Sequence, residues 1–237
     1  MRVGALAQRR SLWPTCLALA VLCASGSAAA ASPPASARAP GLLGEAASGD
    51  AHRLAAWAIA TGDHGGMPFL LVDKVEAKVF AFDPQGRLLG VTPALLGLGR
   101  GDESPAGIGD RKLSTMSPAE RVTPAGRFVA ALGENLGGKE ILWVDYEAAI
   151  SLHRVDTATR AERRLQRLAT PSASDNRISY GCINVPVAFY ETIVGPLFRG
   201  RVGVVYILPE VLSVEEVFFT PAVLLARSAA SPARPED

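Results

Sequence analysis

The amino-acid sequence predicts a single domain that is mainly β, with a few short helices (an α+β fold). Short runs rich in valine, leucine and phenylalanine recur between residues 68 and 208, and turn residues such as those at 83–86 separate them. Hydrophobic residues make up 49% of the 237 residues and charged residues 20%, so the chain is apolar enough to bury a core. The sequence shows no internal repeat and no coiled-coil heptads. A disordered chain, a solenoid and a coiled coil are therefore excluded.

The beginning of the chain has the three-part layout of a secretory signal peptide. An apolar stretch over residues 12–24 is followed by small residues that offer several Ala-x-Ala cleavage positions. The apolar run is shorter than the roughly 20 residues needed to span a bilayer, and Pro14 interrupts it. The basic residues before the apolar stretch are Arg2, Arg9 and Arg10. We expect residues 1–31 to be removed by general or twin-arginine export, which would place the mature protein in the periplasm or cell envelope.

Removal of the leader also changes the charge. The whole chain has 24 basic and 23 acidic residues, and three of the basic residues and none of the acidic ones lie in the leader. The mature protein therefore has a net charge of −2. A protein that binds a polyanion is expected to have a basic excess. We therefore expect no nucleic-acid partner.

The predicted domain organisation after the leader is simple. Residues 32–49, rich in proline, glycine and serine, predict a flexible linker. The folded domain is expected over residues 50–218, and residues 219–237 are expected to form a C-terminal tail. No stable membrane span is predicted in the mature chain. The sequence does not indicate an oligomeric state.

The first half of the domain is predicted to begin with a helix and continue as strands. Asp50 is expected to cap a helix over residues 51–60, which Gly62 ends. The pattern then changes to short apolar runs. These predict strands at residues 68–72, 78–82 and 87–92.

The second half is predicted to combine a long loop, strands and two helices. Residues 99–125, rich in glycine, proline and charge, predict a loop with at most a short helix near residues 117–120. A helix is expected over residues 156–169, with Asp156 as its cap, and another from Pro186 to about Val194, because proline suits a first helical turn. Further strands are predicted at residues 127–132, 141–145, 149–154 and 202–208.

Cys182 is the only cysteine that remains after removal of the leader, so it has no intramolecular disulfide partner in a compartment where disulfides form readily. Such a thiol is buried and inert, forms a dimer, or acts as a nucleophile. The surroundings favour the nucleophile. Cys182 lies in a tight turn ahead of the helix expected from Pro186, whose N-terminus would favour a thiolate. Gly181 would let backbone N–H groups approach a substrate carbonyl.

A thiol nucleophile needs a proton acceptor, and the chain has three histidines. His52 lies at the edge of the linker, and His64 lies in a glycine-containing loop where we expect it to be solvated. His153 ends a predicted strand, where its side chain can be held rigidly, so we predict that it is the partner of Cys182. Three scattered histidines and no clustered cysteines match no metal-ligand spacing. We therefore expect neither a metal nor a cofactor.

His153 followed by Ser-x-Gly-Cys-x-Asn at residues 179–184 resembles the signature of the L,D-transpeptidase (YkuD-type) catalytic domain. Residues 68–96 resemble the opening hairpin of that domain, and Val-Thr-Pro-Ala-Gly-Arg-Phe at residues 122–128 resembles its Thr-Pro-x-Gly-x-Phe segment. Residues 203–207 resemble its closing strand. The resemblance covers roughly residues 66–208.

The resemblance implies an L,D-transpeptidase-like β-sandwich and a role for each residue of the motif. Cys182 would be the nucleophile and His153 the general base, and later the acid. Gly181 and Cys182 would supply backbone donors, while Ser179 and Asn184 would shape the loop. Tyr180 would form a wall of the site.

The resemblance also implies acyl transfer on peptidoglycan stem tetrapeptides, with loss of the terminal D-alanine. An amine acceptor would give a 3-3 cross-link, a lipoprotein attachment or an exchanged D-amino acid, whereas water would make the enzyme a carboxypeptidase. A hydrolase that detaches anchored lipoproteins and a non-catalytic wall-binding module are alternatives. Arg177 is a separate candidate for binding the carboxylates of the stem peptide.

The chain departs from the family pattern at two places. Tyr180 stands where the family has a histidine, and 25 residues separate His153 from Ser179, more than is usual in the family. The extra length is the region of residues 156–169, which we expect to form a flap. Residues 154–167 have a net charge of +3, so the flap is either a solvated helix face or a basic surface that attracts the carboxylates of the substrate.

Overall fold

A computed structural model describes residues 46–220 and Val223, and this part of the chain contains ten strands. Eight of them form one sheet in the order β3-β2-β1-β10-β5-β6-β7-β9, and β4 and β8 form a second, two-stranded sheet. The pairs β1–β10, β7–β9 and β4–β8 are parallel and the other pairs are antiparallel. The strands are β1 (Phe69–Asp73), β2 (Lys78–Phe82), β3 (Leu88–Pro93), β4 (Leu96–Gly97), β5 (Gly126–Glu134), β6 (Glu140–Asp145), β7 (Ile150–Arg154), β8 (Arg177–Ser179), β9 (Ile183–Val185) and β10 (Gly203–Ile207).

The two edges of the large sheet meet. Leu95, just after β3, exchanges two backbone hydrogen bonds of 2.8 and 2.9 Å with Asn184 of β9. The sheet is therefore nearly closed. With its short helices, the structure is mixed α/β and is consistent with the prediction of a mainly β protein.

The central strands are buried on both faces, which explains why they read as continuous apolar runs rather than alternating ones. On one face, Phe69 and Tyr206 pack against the first helix, α1 (Gly49–Thr61). On the other face, Leu70 and Val205 pack against a helical segment that follows β9. Side chains alternate between faces along each strand, so consecutive residues contribute to two different cores.

Ser48, rather than the predicted Asp50, caps α1. The Ser48 side chain accepts a hydrogen bond of 3.1 Å from the backbone N–H of Ala51, whereas Asp50 lies in the first turn and forms an ion pair with Arg53. Gly62 ends the helix, as predicted, in a left-handed conformation with φ of 66°. Ser48 lies in the predicted linker, but its backbone N–H also donates to the Asp73 carboxylate at 2.8 Å, so the end of the predicted linker belongs to the folded unit.

The region predicted as one helix over residues 156–169 is divided. A 3-10 turn (Arg160–Glu162) is followed by the short helix α2 (Arg164–Ala169), and Arg163 between them has a φ of 51°. Asp156 caps no helix, because its side chain accepts a hydrogen bond of 2.8 Å from the backbone N–H of Ala158 in a local turn. A left-handed residue interrupts a helix whatever the periodicity of its neighbours.

The helix predicted to begin at Pro186 is present and is longer than expected. It consists of α3 (Val187–Phe189), a π-helical turn (Tyr190–Val194) and α4 (Gly195–Phe198). The predicted 99–125 loop contains three 3-10 turns, of which the last (Pro118–Glu120) lies where a short helix was expected.

The end of the described chain packs onto its beginning. A π-helical turn (Glu215–Phe219) brings the ring of Phe219 to 5.1 Å from that of Trp57 on α1, so the folded unit extends beyond the predicted boundary at residue 218. The predicted signal peptide, most of the linker and nearly all of the tail lie outside the described residues. Among the described residues, no helix is long and apolar enough to cross a membrane.

Candidate active site

The parallel pairing of β7 with β9 brings the motif residues together. His153 pairs with Asn184, and Leu152 pairs with Ile183. Residues two apart on a strand share a face, so Ser151 on β7 and Cys182 just before β9 lie on the same side as His153 and Asn184. Four polar side chains, separated by about thirty positions along the chain, thus form one cluster.

The turn between β8 and β9 fixes the backbone of Cys182. Gly181 has a φ of 124°, and a Cβ atom there would lie 2.7 Å from the Val122 carbonyl oxygen and 2.8 Å from a methyl group of Ile150. The Ser179 hydroxyl donates to the Cys182 carbonyl at 2.6 Å and accepts from the Gly181 N–H at 3.1 Å. Only glycine fits at position 181, and the two hydrogen bonds of the Ser179 hydroxyl stabilise the turn.

Cys182 does not lie at a helix N-terminus, contrary to prediction. β9 separates it from α3, which begins at Val187. Burial opposes ionisation of the Cys182 thiol, but the His153 imidazole and the hydroxyl and N–H of Ser151 more than offset it, so the pKa of the thiol lies below its ordinary value. The Ser151 Oγ lies 3.5 Å from the Cys182 Sγ. The neighbouring side chains of β7, rather than a helix dipole, therefore favour the thiolate.

His153 is oriented by its own backbone neighbourhood. Its Nδ1 lies 2.7 Å from the carbonyl oxygen of Arg154, and because a carbonyl only accepts, Nδ1 carries the proton. This leaves Nε2 to interact with Cys182. Burial lowers the pKa of His153, but the hydrogen bond and charge of the Cys182 thiolate and the Arg154 carbonyl outweigh it, so the net shift is upward.

Asn184 connects this pair to the segment that follows β7. Its Nδ2 lies 3.3 Å from His153 Nε2 and 3.3 Å from the Cys182 carbonyl oxygen. Its Oδ1 accepts a hydrogen bond of 2.6 Å from Arg164 Nη1, at the start of α2. The region expected to form a flap therefore contributes a side chain to the site itself.

Cys182 lies between two cavities. The larger, of about 660 Å³, is lined by the β5–β6 hairpin, by Ser151, His153 and Arg154 of β7, and by Val187. The smaller, of about 60 Å³, is lined by residues of the 99–125 loop and by Tyr180. Cys182 is a lining residue of both cavities.

Tyr180 and Arg177 have different environments. Tyr180 lines the smaller cavity, and the Arg121 guanidinium lies 4.1 Å from the centre of its ring. Arg177 lines neither cavity. It is buried, with an ion pair of 2.5 Å to Glu210 and a hydrogen bond of 2.9 Å to the Lys74 carbonyl, so its position does not support the prediction that it binds substrate carboxylates.

The other histidines lie away from Cys182. His64 was expected to be solvated, but it is only 6% exposed and its Nδ1 lies 2.9 Å from the Met67 carbonyl. His52 lies on α1. Among the described residues, no group of three or more His, Cys, Asp or Glu side chains is arranged to hold a metal ion.

The sequence analysis did not place Ser151 at the motif, and it assigned Arg164 only to the basic flap and Thr123 only to the segment of residues 122–128, without the contacts that both make with the motif. Ser151 lies two residues before His153, and the period of a strand could have indicated that both share a face. Arg164 and Thr123 are distant in sequence from Cys182, and no local signal connects them to it.

No protein-family model matches the chain, and no curated protein matches it.

Proposed function

We propose that the protein is an exported cysteine acyltransferase that acts on peptidoglycan stem peptides, with the chemistry of an L,D-transpeptidase. The observation that carries the proposal is the placement of Cys182 beside a partly buried, oriented His153, in the lining of two cavities. Nucleophilic acyl transfer needs a thiol within reach of an oriented proton acceptor, in a cavity that a donor and then an acceptor can enter in turn. The resemblance of residues 179–184 to the YkuD-type signature supports the choice of substrate.

In the proposed first half-reaction, Cys182 attacks the carbonyl of the third residue of a stem tetrapeptide. His153 Nε2 takes the thiol proton as the C–S bond forms, and the carbonyl π electrons move to oxygen. His153 then gives the proton to the amine of the departing D-alanine as the C–N bond breaks. The product is a thioester on Cys182 and free D-alanine.

The backbone N–H of Cys182 is the proposed donor to the tetrahedral oxyanion, without that of Gly181, which already donates to the Ser179 hydroxyl at 3.1 Å. The Gly181 carbonyl is engaged by the Thr123 hydroxyl at 2.8 Å. Because the N–H and C=O of a trans peptide point in opposite directions, the Cys182 N–H is directed away from Thr123. A donor of this kind contributes about 10²–10³ in rate in acyl transfer.

In the second half-reaction, an amine attacks the thioester, His153 takes its proton, and the thiolate leaves. Water in place of the amine would give L,D-carboxypeptidase activity, and we retain this as a second candidate function. The smaller cavity, of about 60 Å³, has room for water beside Cys182 but not for a stem peptide.

Intact-mass spectrometry of the mature protein with a disaccharide-tetrapeptide tests the proposal, with Cys182→Ala as the control. A thiol-dependent acyl adduct that yields a cross-linked dimer and D-alanine is expected for transpeptidation. An adduct that resolves only to the tripeptide indicates the carboxypeptidase. A folded protein that forms neither adduct nor product would overturn both and favour a wall-binding module.

A further inference from the structure

The segment between β7 and β8 inserts one cationic side chain beside the Cys182–His153 pair. Arg164 is mostly buried, with 13% of its side chain exposed. Its Nε donates to Glu162 Oε2 at 2.6 Å, and its Nη1 donates to Asn184 Oδ1 at 2.6 Å. Two charge-assisted hydrogen bonds therefore hold the guanidinium in one position.

The segment around Arg164 is itself anchored. Arg167 donates to the Glu162 carbonyl at 2.8 Å and to the Asp175 carbonyl at 2.7 Å. Leu168 of α2 is buried in a small cluster with Leu95 and Val155. The packing of α2 therefore fixes the position of Arg164, whose side chain is not free to move as an exposed surface side chain would be.

Arg164 determines which way the Asn184 amide faces. A guanidinium only donates, so the atom of Asn184 that faces it is the oxygen, and the NH₂ group faces His153. The NH₂ group donates, so His153 Nε2 accepts and carries no proton. Nδ1 donates to the Arg154 carbonyl, so the hydrogen bonds of both ring nitrogens fit a neutral imidazole with its proton on Nδ1.

Charged groups act on His153 in opposite directions, and the charge of Arg164 opposes the effect of the Cys182 thiolate on the protonation of His153. The Cys182 thiolate favours the imidazolium, whereas the charge of Arg164 disfavours it. Arg154 is paired with Glu140 and Glu191, and Arg164 with Glu162. The charged and titratable side chains that line the larger cavity with His153, interact with it, or contact Arg154 or Arg164 are Cys182, Arg154, Glu140, Glu191, Lys139, Asp156, Tyr190, Arg164 and Glu162.

We propose that Arg164 is a positioning residue: it fixes the Asn184 amide so that His153 presents an unprotonated Nε2 to Cys182. The inference rests on the proposed role of His153 as the proton acceptor. It adds a function for the extra residues between His153 and Ser179, which supply a side chain that neither strand of the site carries. When Arg164 is removed, Asn184 is free to turn its oxygen toward His153, and the nearby positive charge is lost. Both changes stabilise the imidazolium.

The first test is a ¹H–¹³C NMR titration of His153, made in a Cys182→Ala background so that the thiolate does not contribute. Arg164→Met is expected to move the midpoint of His153 to higher pH. Arg164→Gln keeps an amide donor without the charge and should move it less, and Arg164→Lys should restore it. Arg160→Gln, which removes an exposed arginine from the same segment, is the matched control.

The second test is the pH dependence of kcat/KM with Cys182 present. The limb governed by His153 should move to higher pH in Arg164→Met, with a loss of about 10- to 100-fold on its acidic side, by analogy with the loss when a residue that orients a metal-ligating histidine is removed. Thermal unfolding shows whether Arg164→Met is folded. If it is not, the pH dependence is compared between Arg164→Gln and Arg164→Lys instead.

The outcomes separate this inference from the proposed function. The NMR titration needs no substrate, so a shift at Arg164 without peptidoglycan activity would support the positioning role and overturn the proposed substrate. A His153 midpoint that moves no further in Arg164→Met than in Arg160→Gln would overturn the positioning role, whatever the protein acts on.

Discussion

The hydroxyl of Thr123 donates a hydrogen bond of 2.8 Å to the carbonyl of Gly181, which joins the 99–125 loop to the turn that carries Cys182. The same oxygen accepts a hydrogen bond of 2.9 Å from the backbone N–H of Gly97. One buried side chain therefore satisfies groups on two segments and orients the peptide that precedes the thiol.

Thr123→Val preserves the shape of this side chain and removes both hydrogen bonds. We expect it to lower the free energy of unfolding by about 1–3 kcal/mol, because the Gly97 N–H and the Gly181 carbonyl lose a buried partner. If the Cys182 N–H stabilises the oxyanion, kcat should fall by about 10-fold or more. Urea unfolding and steady-state kinetics check the two effects. Thr123→Ser keeps the hydroxyl and should retain both properties; equal losses in the two variants would show that the hydroxyl is not responsible.

Gly181→Ala is expected to be disruptive for two reasons. The left-handed φ is strained for alanine, and the added Cβ would meet the Val122 carbonyl oxygen at 2.7 Å. We expect the free energy of unfolding to fall by about 2–4 kcal/mol, measured in urea. Gly138→Ala is the matched control, since Gly138 has a φ of 69° but no atom within 4 Å of its Cβ position, and it should lose only about 1 kcal/mol. Similar losses at both positions would mean that the close contact at Gly181 has no effect.

The reactivity of Cys182 should depend on His153. In the parent protein, the thiol pKa lies below its ordinary value, so alkylation by iodoacetamide should begin at lower pH than for a free cysteine. His153→Gln removes the group that offsets burial, so the midpoint of alkylation should move to higher pH and turnover should fall by about 10²–10⁴. His52→Gln, on α1, is the control and should leave both unchanged. A midpoint unaffected by His153→Gln would contradict the assignment of the pair.

Arg177 should affect stability rather than substrate binding. Arg177→Met leaves Glu210 without its closest cation in a buried site, which is expected to lower the free energy of unfolding by about 3–5 kcal/mol. Arg100 pairs with the same carboxylate at 3.3 Å, but its side chain is 65% exposed. Arg100→Met should therefore change stability by less than about 1 kcal/mol. A raised KM in Arg177→Met with unchanged stability would restore the role in substrate binding that the sequence suggested.

The strands and the motif were predictable because their signals are local. Apolar runs identified the seven longer strands, and the spacing around Cys182 identified its turn. The short strands β4, β8 and β9 were missed, because two or three residues are too few for a periodic signal, and their pairing depends on segments far away in sequence. This omission also led to the incorrect placement of Cys182 at a helix N-terminus.

The single side chains were less predictable than the strands. Arg177 and Arg164 are both arginines in charged, polar surroundings, and nothing in the sequence distinguishes the one that pairs with Glu210 from the one that reaches Asn184. The tertiary packing determines how far each arginine is buried and which residue it pairs with. The prediction of a solvated His64 is wrong for the same reason, since its loop folds so that the Met67 carbonyl contacts the ring.

The parallel pairing of β7 with β9 makes the length of the connection between His153 and Cys182 independent of the register that brings them together. Parallel neighbours require a crossover, and the number of residues in a crossover is not set by the strands that it joins. Register is set strictly, because a slip of one residue would turn Cys182 and Asn184 to the face opposite His153. Insertions and deletions in the crossover are thus free to add or remove side chains such as Arg164 around an unchanged thiol and imidazole. If the proposed function is correct, a change in the length of the crossover should alter the side chains that surround Cys182 and His153 while the register of the two strands keeps this pair together.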